Sequence, residues 1–226
     1  MMDNQELVRY NSQTAVIQLP RFDYINWLLK RNCFEELNEL FRDADSPAKE
    51  ISESYSAYHQ LKKICHIGNM NWIHIGDGSR ARTAALFSLL TKSGNISIDP
   101  QIRTDILQEW INKYDINRFG YIKDRMESMF VNIDSIYKYS TNIDKTKEYG
   151  ITCVHAHINL EEVDNKFPNW KYLYTSVCCY PSKQKFSKEY MLKNNIIEIV
   201  NKLDMNILSE RREFAIYKKL KSEANG

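Results

Sequence analysis

The chain has 226 residues, with 31 Lys and Arg against 29 Asp and Glu, for a formal charge of +2. Apolar residues make up 43% and charged residues 27%, with only 7 Gly and 5 Pro, which excludes a disordered tail, a collagen-like fibre and a disulfide scaffold. A chain of this size buries a full core without a metal or disulfide staple, and its near-neutral charge is no argument for nucleic acid by itself.

The first 70 residues read as helical and define an N-terminal extension over 1–70. Ile25, Leu28 and Leu29 fall on one face, continued by Phe34, Leu37, Leu40 and Phe41. Ala44-Asp45-Ser46-Pro47 interrupts that pattern, and Pro47 fits the first turn of a second helix running through Tyr55, Tyr58, Leu61 and Ile64 to about Cys65. Gly68 and Asn69 break the chain. From residue 71 to 226 short apolar runs alternate with helical stretches. Trp72–Ile75, Asn95–Asp99, Phe119–Ile122, Ile151–His155 and Lys171–Val177 read as strands, and Ala84–Leu90 and Ile102–Asn112 as helices. A helix is expected over about Lys188 to Lys202. Asn206–Leu208 and Phe214–Lys218 are expected as a closing strand pair. Such alternation implies an α/β architecture, with helices on both faces of a mostly parallel sheet. No Gly/Ser linker separates the two parts, so one compact unit is expected.

The most informative stretch is Ile73-His-Ile-Gly-Asp-Gly-Ser-Arg-Ala-Arg-Thr-Ala-Ala-Leu-Phe87. A buried strand runs directly into Gly76 and Gly78, and a helix opens behind them. Without Cβ atoms, these positions let the main chain turn sharply and approach a ligand closely. Asp99 ends the next strand, where a carboxylate can accept hydrogen bonds from ribose hydroxyls.

This order resembles the class I S-adenosylmethionine-dependent methyltransferase family, over about residues 70–219. Ile75-Gly-Asp-Gly-Ser79 is similar to its glycine motif, and Asp99 to its ribose-binding acid. The resemblance implies a Rossmann-like seven-stranded sheet with an antiparallel last strand. It also implies S-adenosylmethionine as cofactor, held by Gly76, Asp77, Gly78, Ser79 and Asp99, with Asp124 near the adenine. His74 stands where the family usually has an acid, and Arg80 where a third glycine is common. These two residues support a second reading, a catalytically inactive methyltransferase-like binding subunit or partner protein. A different nucleotide-dependent enzyme, such as a reductase, is the third.

In open parallel sheets the ligand lies beyond the carboxyl ends of the strands. His155 and His157 follow the fourth strand and would share one face if that strand continued, making them the candidate catalytic pair; a neutral imidazole can take a proton from an acceptor N–H or O–H. Neither an Asn/Asp-Pro-Pro-aromatic clamp nor a Lys-Asp-Lys-Glu tetrad is in register, which argues against base N-methylation of adenine or cytosine and ribose 2′-O-methylation. Cys178 and Cys179 follow the fifth strand, either lining the acceptor pocket or packing as small hydrophobes. With no spaced ligand pair, no metal site is expected. From Lys171 onward basic residues outnumber acidic ones, and Lys183, Lys185 and Lys188 interleave with Tyr180 and Phe186. This leans the acceptor towards nucleic acid, although a solvated basic helix gives the same pattern. The five cysteines are odd in number and form no CxxC, no apolar run reaches about 20 residues, and the first ten residues do not read as a signal peptide. A cytoplasmic protein with reduced thiols and no membrane contact is therefore expected.

Overall fold

The computed structural model describes residues 6–10, 13–17, 23–126, 143–176 and 183–221. It opens with a two-stranded antiparallel ladder, β1 (Glu6–Tyr10) and β2 (Gln13–Ile17), followed by α1 (Asp23–Leu29), α2 (Phe34–Phe41) and α3 (Pro47–Lys62). Then come β3 (Asn71–Ile75), α4 (Arg82–Leu90), β4 (Asn95–Ile98), α5 (Thr104–Tyr114), β5 (Phe119–Ile122) and β6 (Tyr149–Val154). The described chain closes with α6 (Leu160–Lys166), β7 (Tyr172–Ser176), α7 (Lys188–Lys193), β8 (Ile196–Leu203) and β9 (Glu213–Lys219).

The main sheet has seven strands in the order β5-β4-β3-β6-β7-β9-β8. The first five run parallel, and β9 inserts antiparallel between β7 and β8. Alternation along the strands supplies two cores. Trp72, Tyr172, Tyr174, Phe214 and Ile216 point to one face, where they meet Tyr24, Leu28, Leu37, Leu40, Phe41, Tyr55 and Leu61 of the N-terminal helices. Ile73, Ile75, Ile96, Ile98, Ile151 and Leu173 point to the other, against Leu160 and Val163 of α6. The N-terminal helices therefore cover one sheet face together with α4 and α5. A buried carboxylate ties them to the far end of the chain: Asp204 accepts hydrogen bonds from Tyr24, from Ser56 at 2.7 Å and from Gln60 at 2.8 Å. Among the described residues no helix is long and apolar enough to cross a membrane.

Four sequence expectations need correction. The first 70 residues are not wholly helical, because β1 and β2 precede α1. The face expected to run from Ile25 to Phe41 belongs to two helices. In one straight helix Leu28 and Leu37 would point about 180° apart; the break between α1 and α2 brings both into the core and leaves Leu29 52% exposed. Finally, the helix expected over Lys188–Lys202 stops at Lys193, and Asn195 turns the chain with φ +55°. The β-branched run that follows is β8, the outer partner of β9, while 206–208 lies in the connection, where Ser52 accepts the Leu208 N–H at 2.9 Å. Pro47 does occupy the first turn of α3, as its fixed φ favours.

Candidate functional site

β3 delivers the chain to Gly76 at the carboxyl edge of the sheet, where φ is +68°. A Cβ there would lie 2.7 Å from the Cβ of Ala156, so both the dihedral and the close approach of the segment after β6 require glycine. Gly78 has φ +73° and open space around it; only its backbone conformation selects the residue.

Asp77 turns its side chain into the fold. One carboxylate oxygen accepts the Thr83 N–H at 2.8 Å, and the other accepts the Ala84 N–H at 2.9 Å and approaches the Ser97 hydroxyl at 3.3 Å. These N–H groups are unpaired donors at the start of α4, whose preceding residue, Ala81, has no side-chain oxygen and sits at φ +47°. Asp77 thus caps α4 from upstream. Burial pushes its carboxyl up to about 6, against the lowering effect of those N–H groups. Both oxygens of this side chain, expected to meet the cofactor, thus bond within the fold.

Asp99 stands at the end of β4, 8% exposed. It accepts the Gly78 N–H at 3.0 Å on one oxygen and the Gln101 N–H at 2.7 Å on the other. Each oxygen thereby keeps a further lone-pair direction for a ligand hydroxyl. Ser79 contributes its carbonyl to the Arg103 N–H at 2.8 Å.

A cleft of about 820 Å³ opens against this turn, lined by Ile75, Gly76, Ile98 and Asp99 on one side and by Ala156, His157 and Ile158 on the other. That size suits a drug-sized ligand. Of the residues expected here, Gly76, Asp99 and His157 line it; Asp77, Gly78, Ser79, Asp124 and His155 are not in its wall. Near the expected adenine position the wall is Arg125 and Met126. Asp124 is exposed and accepts the Arg125 N–H at 2.7 Å.

The two residues that depart from the family pattern leave this cleft clear. His74 is fully buried beneath the sheet surface. Its Nδ1 lies 2.8 Å from the Thr152 hydroxyl and its Nε2 3.2 Å from the side-chain Oδ1 of Asn95, so it bridges β6, β3 and β4. Burial pushes its pKa down to about 3, and the ring stays neutral at ordinary pH. Arg80 points the other way and pairs with Asp43 at 2.6 Å, while Arg82 donates to the Leu40 carbonyl at 2.9 Å. Both arginines clasp the N-terminal helices to the glycine turn.

The histidine pair does not share a face. β6 ends at Val154, and His155 takes φ +52°, which rotates the chain out of the strand. His157 faces the cleft, whereas His155 Nε2 lies 2.8 Å from Glu53 Oε1 of α3. Glu53 is only 2% exposed, and nothing in its Ser/Glu/Tyr-rich stretch marks it; only tertiary packing brings it here. Cys153 sits beneath, its thiol pushed up to about 12 by burial, which makes it a packing residue and not a nucleophile. Cys178 and Cys179 lie outside the described residues, as does Tyr180. Phe186 does not present a basic surface with an exposed ring: it is 6% exposed and stacked between Trp170 and Tyr190.

The strand order, with an antiparallel last strand inserted next to the edge, is that of the class I methyltransferases, and the chain has this fold. Magnesium protoporphyrin IX methyltransferase from Synechocystis PCC 6803, solved with bound S-adenosylmethionine, superposes with a TM-score of 0.52 at 9% identity, over 93% of this chain and 100% of that one. A candidate RNA methyltransferase from Pyrococcus horikoshii gives 0.52 at 10% identity, over 88% and 97%. The human methyltransferase 10 domain containing protein gives 0.51 at 11% identity, over 76% and 84%. No protein-family model matches the sequence, and no curated protein is similar to it.

Proposed function

We propose that the chain is a methyltransferase that binds S-adenosylmethionine in the cleft at Gly76, with nucleic acid as the favoured class of acceptor. The observation that carries this reading is the rim itself. A position where any side chain would strike Ala156 faces the cleft, next to a carboxylate fixed by the Gly78 and Gln101 N–H groups. When bound, the cofactor supplies a methyl group on a sulfonium, a good leaving group. Asp99 would accept hydrogen bonds from its ribose, with Gly76 and Ala156 admitting it close to the main chain. His157, on the opposite wall, would take the proton released by an acceptor N–H or O–H. Transfer otherwise needs in-line positioning, which the cleft walls provide.

Calorimetric titration with S-adenosylmethionine, S-adenosylhomocysteine and NAD tests the reading. Micromolar binding of the first two, weakened at least about tenfold by Asp99→Ala with the fold intact by circular dichroism, supports it; one lost ribose hydrogen-bond pair is worth about 1.5–3 kcal/mol. Binding of NAD alone would transfer the site to a reductase. A radiolabelled methyl assay on RNA, protein and small-molecule pools then separates enzyme from binding subunit. His157→Ala should lower turnover more than cofactor affinity, and by more than His155→Ala.

A further inference from the structure

Beside α3 two hollows adjoin. One of about 450 Å³ lies against α1 and α3, walled by Trp27, Tyr55, Tyr58 and His59 together with basic side chains. The other, of about 660 Å³, lies at the amino ends of β3 and β5, beside the last turn of α4. Tyr58 and Lys62 wall both, so the hollows adjoin as the two halves of a groove with these side chains between them.

Its chemistry is one-sided. Arg31, Lys62, Lys63, Lys92 and Arg118 line it, and no described Asp or Glu does. Among the described residues none of these five forms an ion pair, unlike Lys113, Lys171, Lys185 and Lys219 elsewhere on the chain. The Arg118 Nε is buried without a hydrogen-bond partner. A row of uncompensated cations attracts a polyanion. The groove also offers an aromatic platform. Trp27 is 38% exposed, and its ring centroid lies 4.9 Å from that of His59 at 33°. Burial and the Lys63 charge lower the His59 pKa, which favours a neutral ring.

We propose that this groove binds a single-stranded polynucleotide, with Trp27 stacking on a base and Lys62, Lys63, Lys92 and Arg118 following the phosphates. Exposed rings beside a cationic track are how single strands are held without sequence readout, and a duplex keeps its base faces hidden. The proposal deepens the nucleic-acid reading above and rests on it for the meaning of the strand as substrate. The strands between the groove and the cofactor cleft are four to five residues long, or about 15 Å. The groove therefore anchors a flank of the strand, and the reacting nucleotide lies elsewhere on it.

The test is fluorescence anisotropy of the full chain with labelled 15-mers of oligouridylate and oligothymidylate at about 50 mM salt and upward. Saturable binding is expected. Lys62→Gln with Lys92→Gln should weaken it about tenfold or more and flatten the salt slope by about 1.4, at about 0.7 for each lost phosphate contact. Trp27→Ala should weaken it about tenfold at every salt concentration with the slope kept. Lys113→Gln, whose ammonium pairs with Glu39 away from the groove, should leave it unchanged. No saturable binding, indifference to the groove variants, or equal affinity for a duplex or for polyglutamate of the same length overturns the proposal. Repeating the titration with Asp99→Ala, a cleft residue outside the groove, separates the two readings: lost cofactor affinity with intact strand binding supports both, unchanged cofactor affinity with intact strand binding removes the cleft reading and leaves the groove, and lost strand binding places the strand at the cleft and overturns the proposal.

Discussion

The two edges of the sheet handle their polar groups in opposite ways. At the carboxyl edge the charged side chains are paired within the chain: Asp77 with the first N–H groups of α4, Asp99 with Gly78 and Gln101, and Arg80 with Asp43. At the amino edge beside α3, Lys62 and Lys92 are exposed and Arg118 is half-buried, and no described carboxylate lines the hollow they share. The first arrangement holds a backbone turn in a fixed shape, and changing it should cost stability as well as ligand affinity. The second leaves the fold indifferent to its charges and keeps them free for an outside partner.

That contrast can be broken at several points. The largest effect is expected at Gly76→Ala, which adds a left-handed dihedral penalty to a 2.7 Å overlap with Ala156. A loss of about 3 kcal/mol in urea unfolding is expected. Gly78→Ala carries the dihedral term alone and should lose about 1 kcal/mol.

His74 supports the carboxyl edge from beneath, and its contribution depends on pH. In the unfolded chain it protonates near 6.5, whereas in the fold its pKa is near 3. The unfolded state therefore binds more protons between those values. Its stabilising contribution is complete above 6.5 and falls as pH drops towards 3, by up to about 1.4 kcal/mol per pH unit. Urea midpoints measured from pH 7 to pH 5 should show this slope in the wild type and lose it in His74→Phe.

Asp77 has the opposite sign. Its carboxyl is raised in the fold to about 6, so the native state holds the proton more tightly and the contribution of the group declines as pH rises from about 4 to 6. Asp77→Asn should cost about 1 kcal/mol at neutral pH through the weakened cap. The gap to wild type should be wider at pH 4 than at pH 7. The smallest effect lies at the other edge: Lys92→Ala should stay within about 0.5 kcal/mol of wild type in the same unfolding experiment while weakening strand binding.

The same contrast explains what the residues disclosed before folding. The glycine turn and Asp99 are legible because strand, turn, helix and terminal acid occur in order within 28 residues, Trp72 to Asp99. The groove is not, since Trp27, Lys62, Lys92 and Arg118 come from separate elements and converge only when α1 and α3 pack on the sheet. Asp77 shows a subtler limit: spacing placed a carboxylate at the turn, but whether it faced ligand or helix depended on Ala81 leaving α4 uncapped. His155 and His157 alternate correctly for a strand, yet the left-handed His155 ends that strand one residue earlier. At the C-terminal end, Ile196, Ile197, Ile199 and Val200 carried a β-branched signal that helical periodicity concealed.

Among the described residues β8 pairs on one side only, and Ile197, Ile199 and Leu203 are 43%, 38% and 59% exposed on it. Its pairing with β9 slips between Glu198 and Val200. That irregularity twists the free margin away from a straight ladder, and Glu198 and Lys202 interrupt its greasy surface. An incoming strand finds no continuous template there, so an otherwise adhesive border is guarded against fibrous self-association.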